Sequence, residues 1–397
     1  MLPMDQQLYY QPGPVLEFGA EVTACRQTEK GGQTVLSRTA FYPEGGGQPG
    51  DRGVLLCGDR EIPVEDVREK DGEIIHLTAE ALKEGAAVRG KVDAGRRRDL
   101  TQQHSGEHIL SGLICRAFSC DNVGFHISDD YVTIDYNVPI SREQLIPLEQ
   151  EANRLVRADL PVRIFYPSPE ELETLQYRSK KALTGQVRIV EFPEADICAC
   201  CGTHVARTGE IGLIKVIRAD AHRGGVRIVM ASGKRAYDYA AAVAEENRKI
   251  SVLLAAEPLE TAAAAEHLKE ECRRKQEKLA ALEQRVIAAK CRALVGAGNV
   301  LLVEKGLDTE EARRLQSAVM DVCGGLAGVV SETERGCSYV IGNPGGGLRA
   351  AAKALNAALA GRGGGSDSFV QGFLQAGADA AAEELRKLLP GIRTVRE

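Results

Sequence analysis

Tryptophan is absent from the 397-residue chain and aromatic residues reach only 5%. That scarcity excludes no class of function. More telling is the lack of any apolar run near the roughly 18 residues that a membrane helix needs. The opening residues, MLPMDQQLYYQPG, have no positive flank followed by an apolar stretch, so no secretory signal is read there and a cytoplasmic setting is expected. Excess positive charge is missing too. With 50 Lys+Arg against 56 Asp+Glu, the net charge is −6. This excludes a globally basic nucleic-acid binder and leaves only a local patch for RNA. The 11 cysteines are odd in number and mostly scattered. In a reducing compartment they read as thiols or metal ligands rather than a disulfide framework.

What is present is ordinary soluble composition, 44% hydrophobic and 27% charged, in a chain long enough for several domains. Residues 1–90 read as a small β-barrel or sandwich. Short runs such as Val35–Thr39, Val54–Cys57 and Glu73–Leu77 are cut by Gly, Pro and Asp. The stretch Gly45-Gly46-Gly47-Gln48-Pro49-Gly50 is a loop between strands. Residues 91–236 read as α+β. A helix is expected over Asp99–Phe118, and another opens at Ser141, where Ser141 and Gln144 fit a capping box. Residues 237–296 are rich in Ala, Glu, Lys and Arg. Leu268, Cys272, Lys275, Leu279, Leu282, Val286, Ala289 and Ala293 form a heptad seam with one polar defect. That stretch reads as a helical linker or dimerisation arm. Residues 297–397 restart as α/β, with Gly-rich clusters at Gly345–Gly347 and at Gly363, Gly364 and Gly365.

Residues 91–235 hold 20 Lys+Arg and 19 Asp+Glu, so positive charge is least opposed there. Arg96, Arg97, Arg98, Lys180, Lys181 and Arg227 are candidate phosphate contacts. The plainer reading of such clusters is a solvated face.

His104 and His108 stand at i and i+4, on one face of the expected helix. The segment Asp196-Ile197-Cys198-Ala199-Cys200-Cys201-Gly202-Thr203-His204 supplies a further Cys/His pair. Two histidines plus one cysteine and one histidine suit tetrahedral Zn²⁺. On chemistry alone Cys198, Cys200 and Cys201 compete for the cysteine position. Glu107 precedes the second histidine in the His-x-x-Glu-His order of inverted zinc proteases. Its plainer reading is a solvated helix residue.

The order TAFYPEGGGQPGDRG, then RRRDLTQQHSGEHIL, then VRIVEFPEADICACCGTHVARTGEIG resembles the alanyl-tRNA editing proteins of the AlaX family and the editing region of alanyl-tRNA synthetase. The segment GGGLRAAAKALNAALAGRGGGSDSFVQGFLQAG resembles the DHH-associated domain. The resemblance implies a long-form editing protein: barrel, zinc-containing editing domain, helical linker and C-terminal DHH-associated domain. No aminoacylation core precedes the editing motifs, so a hydrolase rather than a ligase is implied. Its substrate would be tRNA(Ala) mischarged with serine or glycine. One zinc ion per chain would sit on His104, His108, Cys200 and His204. Gly45, Gly46, Gly47 and Gln48 carry the family's Gly-rich motif. Thr39 falls where the family places a threonine near the amino-acid side chain. Gly363–Gly365 would belong to a tRNA-binding platform, and a homodimer would form through 260–296 or the C-terminal domain. The sequence contains no Asp-His-His triplet, which removes a DHH phosphoesterase. A non-catalytic, zinc-stabilised tRNA-binding protein remains the alternative.

Overall fold

The first six strands are β1 (Glu17–Thr28), β2 (Gly31–Leu36), β3 (Gly53–Cys57), β4 (Arg60–Lys70), β5 (Glu73–Thr78) and β6 (Ala87–Val92). Buried and exposed residues alternate along β2, β5 and β6, the period of a strand with one face in a core. The strands close into a barrel in the order β1-β2-β5-β4-β3-β6. Phe18, Leu36, Phe41, Leu55, Ile62 and Val88 fill it. The computed structural model describes residues 4–11, 13–29, 31–179 and 186–396. The strand expected over Val35–Thr39 stops at Leu36. Thr39 instead pairs with the N-terminal segment, bonding Gln6 O and Leu8 N through its own backbone.

After the barrel comes α1 (Ala94–Phe118), which starts ahead of the expected Asp99 because Asp93 caps it. The Asp93 carboxylate accepts from Arg96 N–H at 3.0 Å. The helix is buried along most of its length, polar residues included. It is surrounded by β7 (Asn122–Ile127), β8 (Val132–Tyr136), α2 (Arg142–Ala158), β9 (Arg163–Phe165), α3 (Pro169–Thr174), β10 (Ile189–Phe192), β11 (Asp196–Ala199), β12 (Ile214–His222) and β13 (Gly225–Ser232). One sheet runs β12-β13-β8-β7 and a second runs β11-β10-β9. Helix α2 opens with the expected Ser141/Gln144 capping box. Leu110, Leu113, Ile134, Tyr136, Phe192 and Met230 lie in one core. These elements and most of α4 (Gly233–Leu254) belong to the first of two units, Met1–Ile250.

The second unit, Ser251–Glu397, begins with α5 (Thr261–Ala293). At 33 residues it is about 50 Å long. Then follow β14 (Val300–Lys305), α6 (Thr309–Cys323), β15 (Ala327–Thr333), β16 (Gly336–Gly342), α7 (Leu348–Ala358), β17 (Arg362–Gly365), β18 (Phe369–Leu374), α8 (Ala378–Leu388) and β19 (Arg393–Arg396). The sheet order is β17-β18-β16-β15-β14-β19. In β14, Val300 and Leu302 face the α6 core, whereas Leu301 and Val303 face the α7/α8 core. Helices therefore cover both faces, and the chain as a whole is mixed α+β with an N-terminal barrel and a C-terminal α/β region. Gly363–Gly365 form the exposed edge strand β17.

The heptad seam of α5 is uncovered, with Leu268, Leu279, Leu282 and Val286 between 45% and 66% exposed. The face docked against α6 carries Ile287 and Cys291. Glu283 pairs with Arg314 at 2.7 Å beside it. That face is offset from the seam by one residue, or about 100° around the helix. Among the described residues, no helix is long and apolar enough to cross a membrane.

Candidate metal centre

Helical spacing sets His104 and His108 one turn apart on α1, and the turn after β11 brings Cys200 and His204 against them. One donor atom from each of the four lies within 4.8 Å of the others. Cys200 Sγ is 3.4 Å from His104 Nε2 and 3.4 Å from His204 Nε2. A tetrahedral zinc with its usual Zn–S and Zn–N lengths separates such donors by about 3.5 Å. The residues present therefore fit a zinc ion. His104 and His108 are buried, while Cys200 and His204 are half-buried, so the group opens on the side of the Cys200–His204 turn.

The far side of each imidazole is treated differently. His108 Nδ1 donates to Asp196 Oδ2 at 2.8 Å. Arg178 clamps the same carboxylate with two bonds of 2.7 Å. His104 Nδ1 donates to the neutral Gln48 Oε1 at 2.8 Å. His204 Nδ1 is buried with no hydrogen-bond partner. Each pairing fixes Nδ1–H outward and leaves the Nε2 lone pair facing Cys200.

Electrostatics follow from this. Burial would raise the Cys200 thiol, but the three imidazoles outweigh it and hold the thiol well below its usual range. Burial lowers His108, yet Cys200 and Asp196 more than reverse this and bring it to about 9. For His204 burial wins, and its value falls to about 3. Burial also works against ionised Asp196, but Arg178 and His108 hold it at about 2. Cys198 is buried, its thiol pushed up by that burial, and it groups with His108 and Asp196 rather than with the three imidazoles. Cys201 is exposed. Of the three competing cysteines, Cys200 is the one that faces His104 and His204.

The Gly-rich loop reaches this group through Gln48. Gln48 is fully buried. Its Nε2 donates to Thr203 Oγ1 at 2.9 Å, and its Oε1 also accepts from Thr203 N–H at 3.2 Å. Gly45 and Gln48 exchange two backbone bonds of 3.0 Å, closing a tight turn. Gly47 lies at φ 85°, and a Cβ there would stand 2.6 Å from the Phe125 ring. Phe125 in turn lies against His104, centroids 5.0 Å apart. Gly202 is equally constrained, because a Cβ would fall 2.2 Å from His104 Cε1. Only glycine lets the ligand turn come this close. Gly46 is at φ 59°, with nothing near its missing side chain.

Thr39 is fully buried in the barrel. Its hydroxyl contacts His76 Nε2 at 2.8 Å and accepts from Phe41 N–H at 3.0 Å. Arg97 is buried on Asp51 and on Ala40 O, which leaves it no role as a phosphate contact. Arg96 donates to Gly50 O at 3.2 Å. Arg98 is exposed. Arg227 makes a two-pronged pair with Asp135, both bonds 2.7 Å. Lys180 and Lys181 lie outside the described residues. Glu107 is not a solvated residue: it is 1% exposed and accepts from Ser111 at 2.6 Å and Asn122 at 2.7 Å.

Asp196, Arg188 and Phe125 were not singled out from sequence, and Arg178 stood out there only as part of a basic cluster, whereas it pairs with Asp196. Arg188 Nη1 donates to Cys200 O at 2.7 Å and Gly202 O at 3.2 Å, bracing the ligand turn. Its guanidinium lies over Tyr10, 4.8 Å from the ring centre. The Tyr10 hydroxyl donates to Cys201 O at 2.8 Å. The one signal in the sequence was a carboxylate, Asp196, four residues before Cys200.

Residues 187–229 match the family model described as "Threonyl and Alanyl tRNA synthetase second additional domain". Residues 7–96 match that of "tRNA synthetases class II (A)". An alanyl-tRNA editing protein AlaX-L from Pyrococcus horikoshii is 39% identical over 220 residues, 54% of each chain. An alanine–tRNA ligase from Halorubrum lacusprofundi is 33% identical over 416 residues, covering 100% of this chain and 45% of the ligase. The chain thus spans about half the length of these curated relatives. The solved C-Ala domain of Aquifex aeolicus alanyl-tRNA synthetase matches 24% of this chain and 96% of that one at 22% identity. Its TM-score of 0.22 is too low to speak for a shared fold.

Proposed function

From the likeness of this chain to the AlaX-type alanyl-tRNA editing proteins, we propose that it is a trans-editing hydrolase acting on tRNA(Ala) mischarged with serine or glycine. It cleaves the ester that joins the wrong amino acid to the terminal adenosine. The observation that carries this reading is the convergence of His104, His108, Cys200 and His204 beside the Gly-rich loop. The reaction answers a physical need. A pocket shaped for alanine excludes smaller glycine weakly and rejects one added hydroxyl poorly, so a second sieve must remove the errors.

One Zn²⁺ per chain would be held by His104, His108, Cys200 and His204. Bound there, it supplies Lewis-acid polarisation or orientation of the ester. Gln48 orients His104 and ties the barrel loop to the ligand turn. Gly45, Gly46 and Gly47 leave backbone close to the terminal adenosine. Thr39 is the residue whose family position lies near the amino-acid side chain, and its buried hydroxyl is held by His76 and Phe41 N–H. Phosphates of the tRNA are met by Arg96, Arg98, Arg227, Lys180 and Lys181. Gly363–Gly365 belong to a second tRNA platform on a DHH-associated domain.

In this reading residues 1–90 are the barrel domain and 91–236 the zinc-binding deacylase. Residues 237–296 are the linker or dimerisation arm, and 297–397 the DHH-associated domain. On the same reading the protein would work in the cytoplasm, and a homodimer would form through residues 260–296 or through the C-terminal domain.

The decisive experiment measures deacylation of Ser-tRNA(Ala) and Gly-tRNA(Ala), with Ala-tRNA(Ala) in parallel. Fast loss of serine with alanine spared, abolished in His104→Ala with tRNA binding retained, is the expected result. Folded, zinc-loaded protein that binds tRNA(Ala) and releases no amino acid would replace this function with the non-catalytic tRNA-binding one.

A further inference from the structure

The three imidazoles of the metal group are not equivalent. Their Nε2 atoms converge on one thiol, but their Nδ1 atoms meet a carboxylate, an amide and no partner, for His108, His104 and His204 respectively. A carboxylate accepting from Nδ1–H pushes electron density through the ring and raises the donor strength of Nε2. An amide does so less, and an unbonded ring neither gains basicity nor has its orientation fixed.

The carboxylate is itself fixed. Asp196 is 6% exposed. Arg178 holds both its oxygens, at 2.7 Å each. The Arg178 backbone is laced to β11: its N–H donates to Ile197 O at 2.8 Å and its carbonyl accepts from Ala199 N–H at 2.9 Å. Changing the Arg178 side chain therefore leaves the lacing intact and removes only the clamp. Phe192 stacks on His108 with ring centroids 5.5 Å apart and meets His204 edge-on at 5.8 Å, but His108 is buried whereas His204 lies on the half-exposed side.

Resting on the reading of these four residues as a metal centre, we propose that Asp196, held by Arg178, is a positioning residue that makes His108 the anchoring ligand. His204 is correspondingly the weakest-held ligand, the one that gives way first to an incoming oxygen donor. Neither Asp196 nor Arg178 touches the ion. Both act through the imidazole of His108.

The test reads metal affinity of the full-length chain, stripped and then titrated with Zn²⁺ against a chromogenic chelator. Co²⁺ absorption reports the coordination geometry. Asp196→Asn keeps the shape and removes the charge, and weakens Zn²⁺ binding about 10- to 100-fold. His108→Ala loses more affinity than His204→Ala, which retains the Co²⁺–thiolate band. Asp196→Asn binding Zn²⁺ like the unaltered chain, or His204→Ala proving as weak as His108→Ala, overturns the proposal. Should Asp196→Asn not fold by circular dichroism, Arg178→Gln and Arg178→Lys decide. Weakening by Gln with recovery by Lys supports the relay, and Gln binding like Arg overturns it. An unaltered chain that takes up no Zn²⁺ would overturn the metal centre itself. Tight binding indifferent to Asp196 and Arg178 would overturn only the relay.

Discussion

Gln48 accepts the Nδ1 proton of His104 across 2.8 Å, although 56 residues separate them in sequence. A side chain from the barrel loop thereby sets the tautomer of His104 on α1. The same amide reaches Thr203 in the turn that carries His204. One glutamine joins three segments.

Gln48→Ala strands the His104 Nδ1–H and the Thr203 N–H in a buried place. The expected cost is about 1–3 kcal/mol for a buried donor left unmade. Zinc affinity falls with it. Urea unfolding of the stripped and loaded forms checks both, and the loaded form loses more.

Gly202→Ala puts a methyl group where His104 Cε1 lies 2.2 Å away. Overpacking of this kind costs about 1–3 kcal/mol. The ligand turn has to back away from α1, so the Co²⁺ spectrum shifts from four-coordinate towards weaker, more open coordination. An unchanged spectrum would show that the turn is not held this tightly.

His76 gives a pH signature. Burial depresses it to about 4, below its usual 6.5. A base harder to protonate in the folded state contributes stability that is full above the unfolded value and is lost as pH falls from 6.5 towards 4. Between pH 7.5 and pH 5 the loss is about 2 kcal/mol. His76→Gln, compared with the unaltered chain by urea unfolding at both pH values, removes that difference. Equal slopes in the two proteins would exclude His76 as its source.

Arg97 and Arg98 are neighbours with opposite expected effects. Breaking the buried Arg97–Asp51 pair with Arg97→Met costs about 3–5 kcal/mol. Arg98→Met leaves the melting curve in place and weakens tRNA binding, with a shallower salt dependence. Thermal melts and a salt titration of binding separate the two.

The exposed seam of α5 predicts self-association through that helix. Leu279→Glu with Leu282→Glu places charge at successive seam positions. In sedimentation the doubly substituted chain runs at 42.7 kDa, against twice that for the unaltered chain. Equal masses would take the seam out of any interface.

The two pairs that converge were legible because each is local: a helical turn for His104 and His108, and a tight turn ending at His204, although spacing did not say which of Cys198, Cys200 and Cys201 would face the histidines. The surrounding contacts were not. His108 meets Asp196 across 88 residues and Gln48 meets Thr203 across 155, and no periodicity encodes such pairs. Glu107 misled for a related reason. Helix α1 is covered on nearly every side, so polar positions lose their usual meaning of solvent and mean internal bonding instead. Strand β4 contains Pro63, an obstacle to reading it from sequence, yet it pairs with β3 in the barrel. The seam of α5 was read correctly as a pattern, but a pattern does not say what covers it.

The contact of Gly47 with Phe125, and of Phe125 with His104, bears on modularity. In sequence the barrel looks like a detachable cassette that ends at β6. In space its loop is part of the wall of the metal group and supplies the acceptor for one of its ligands. A fragment beginning at residue 91 would keep His104, His108, Cys200 and His204 and still lack a piece of their scaffold. The two halves of the first unit are accordingly one inheritable piece, and recombination or engineering would have to move them together.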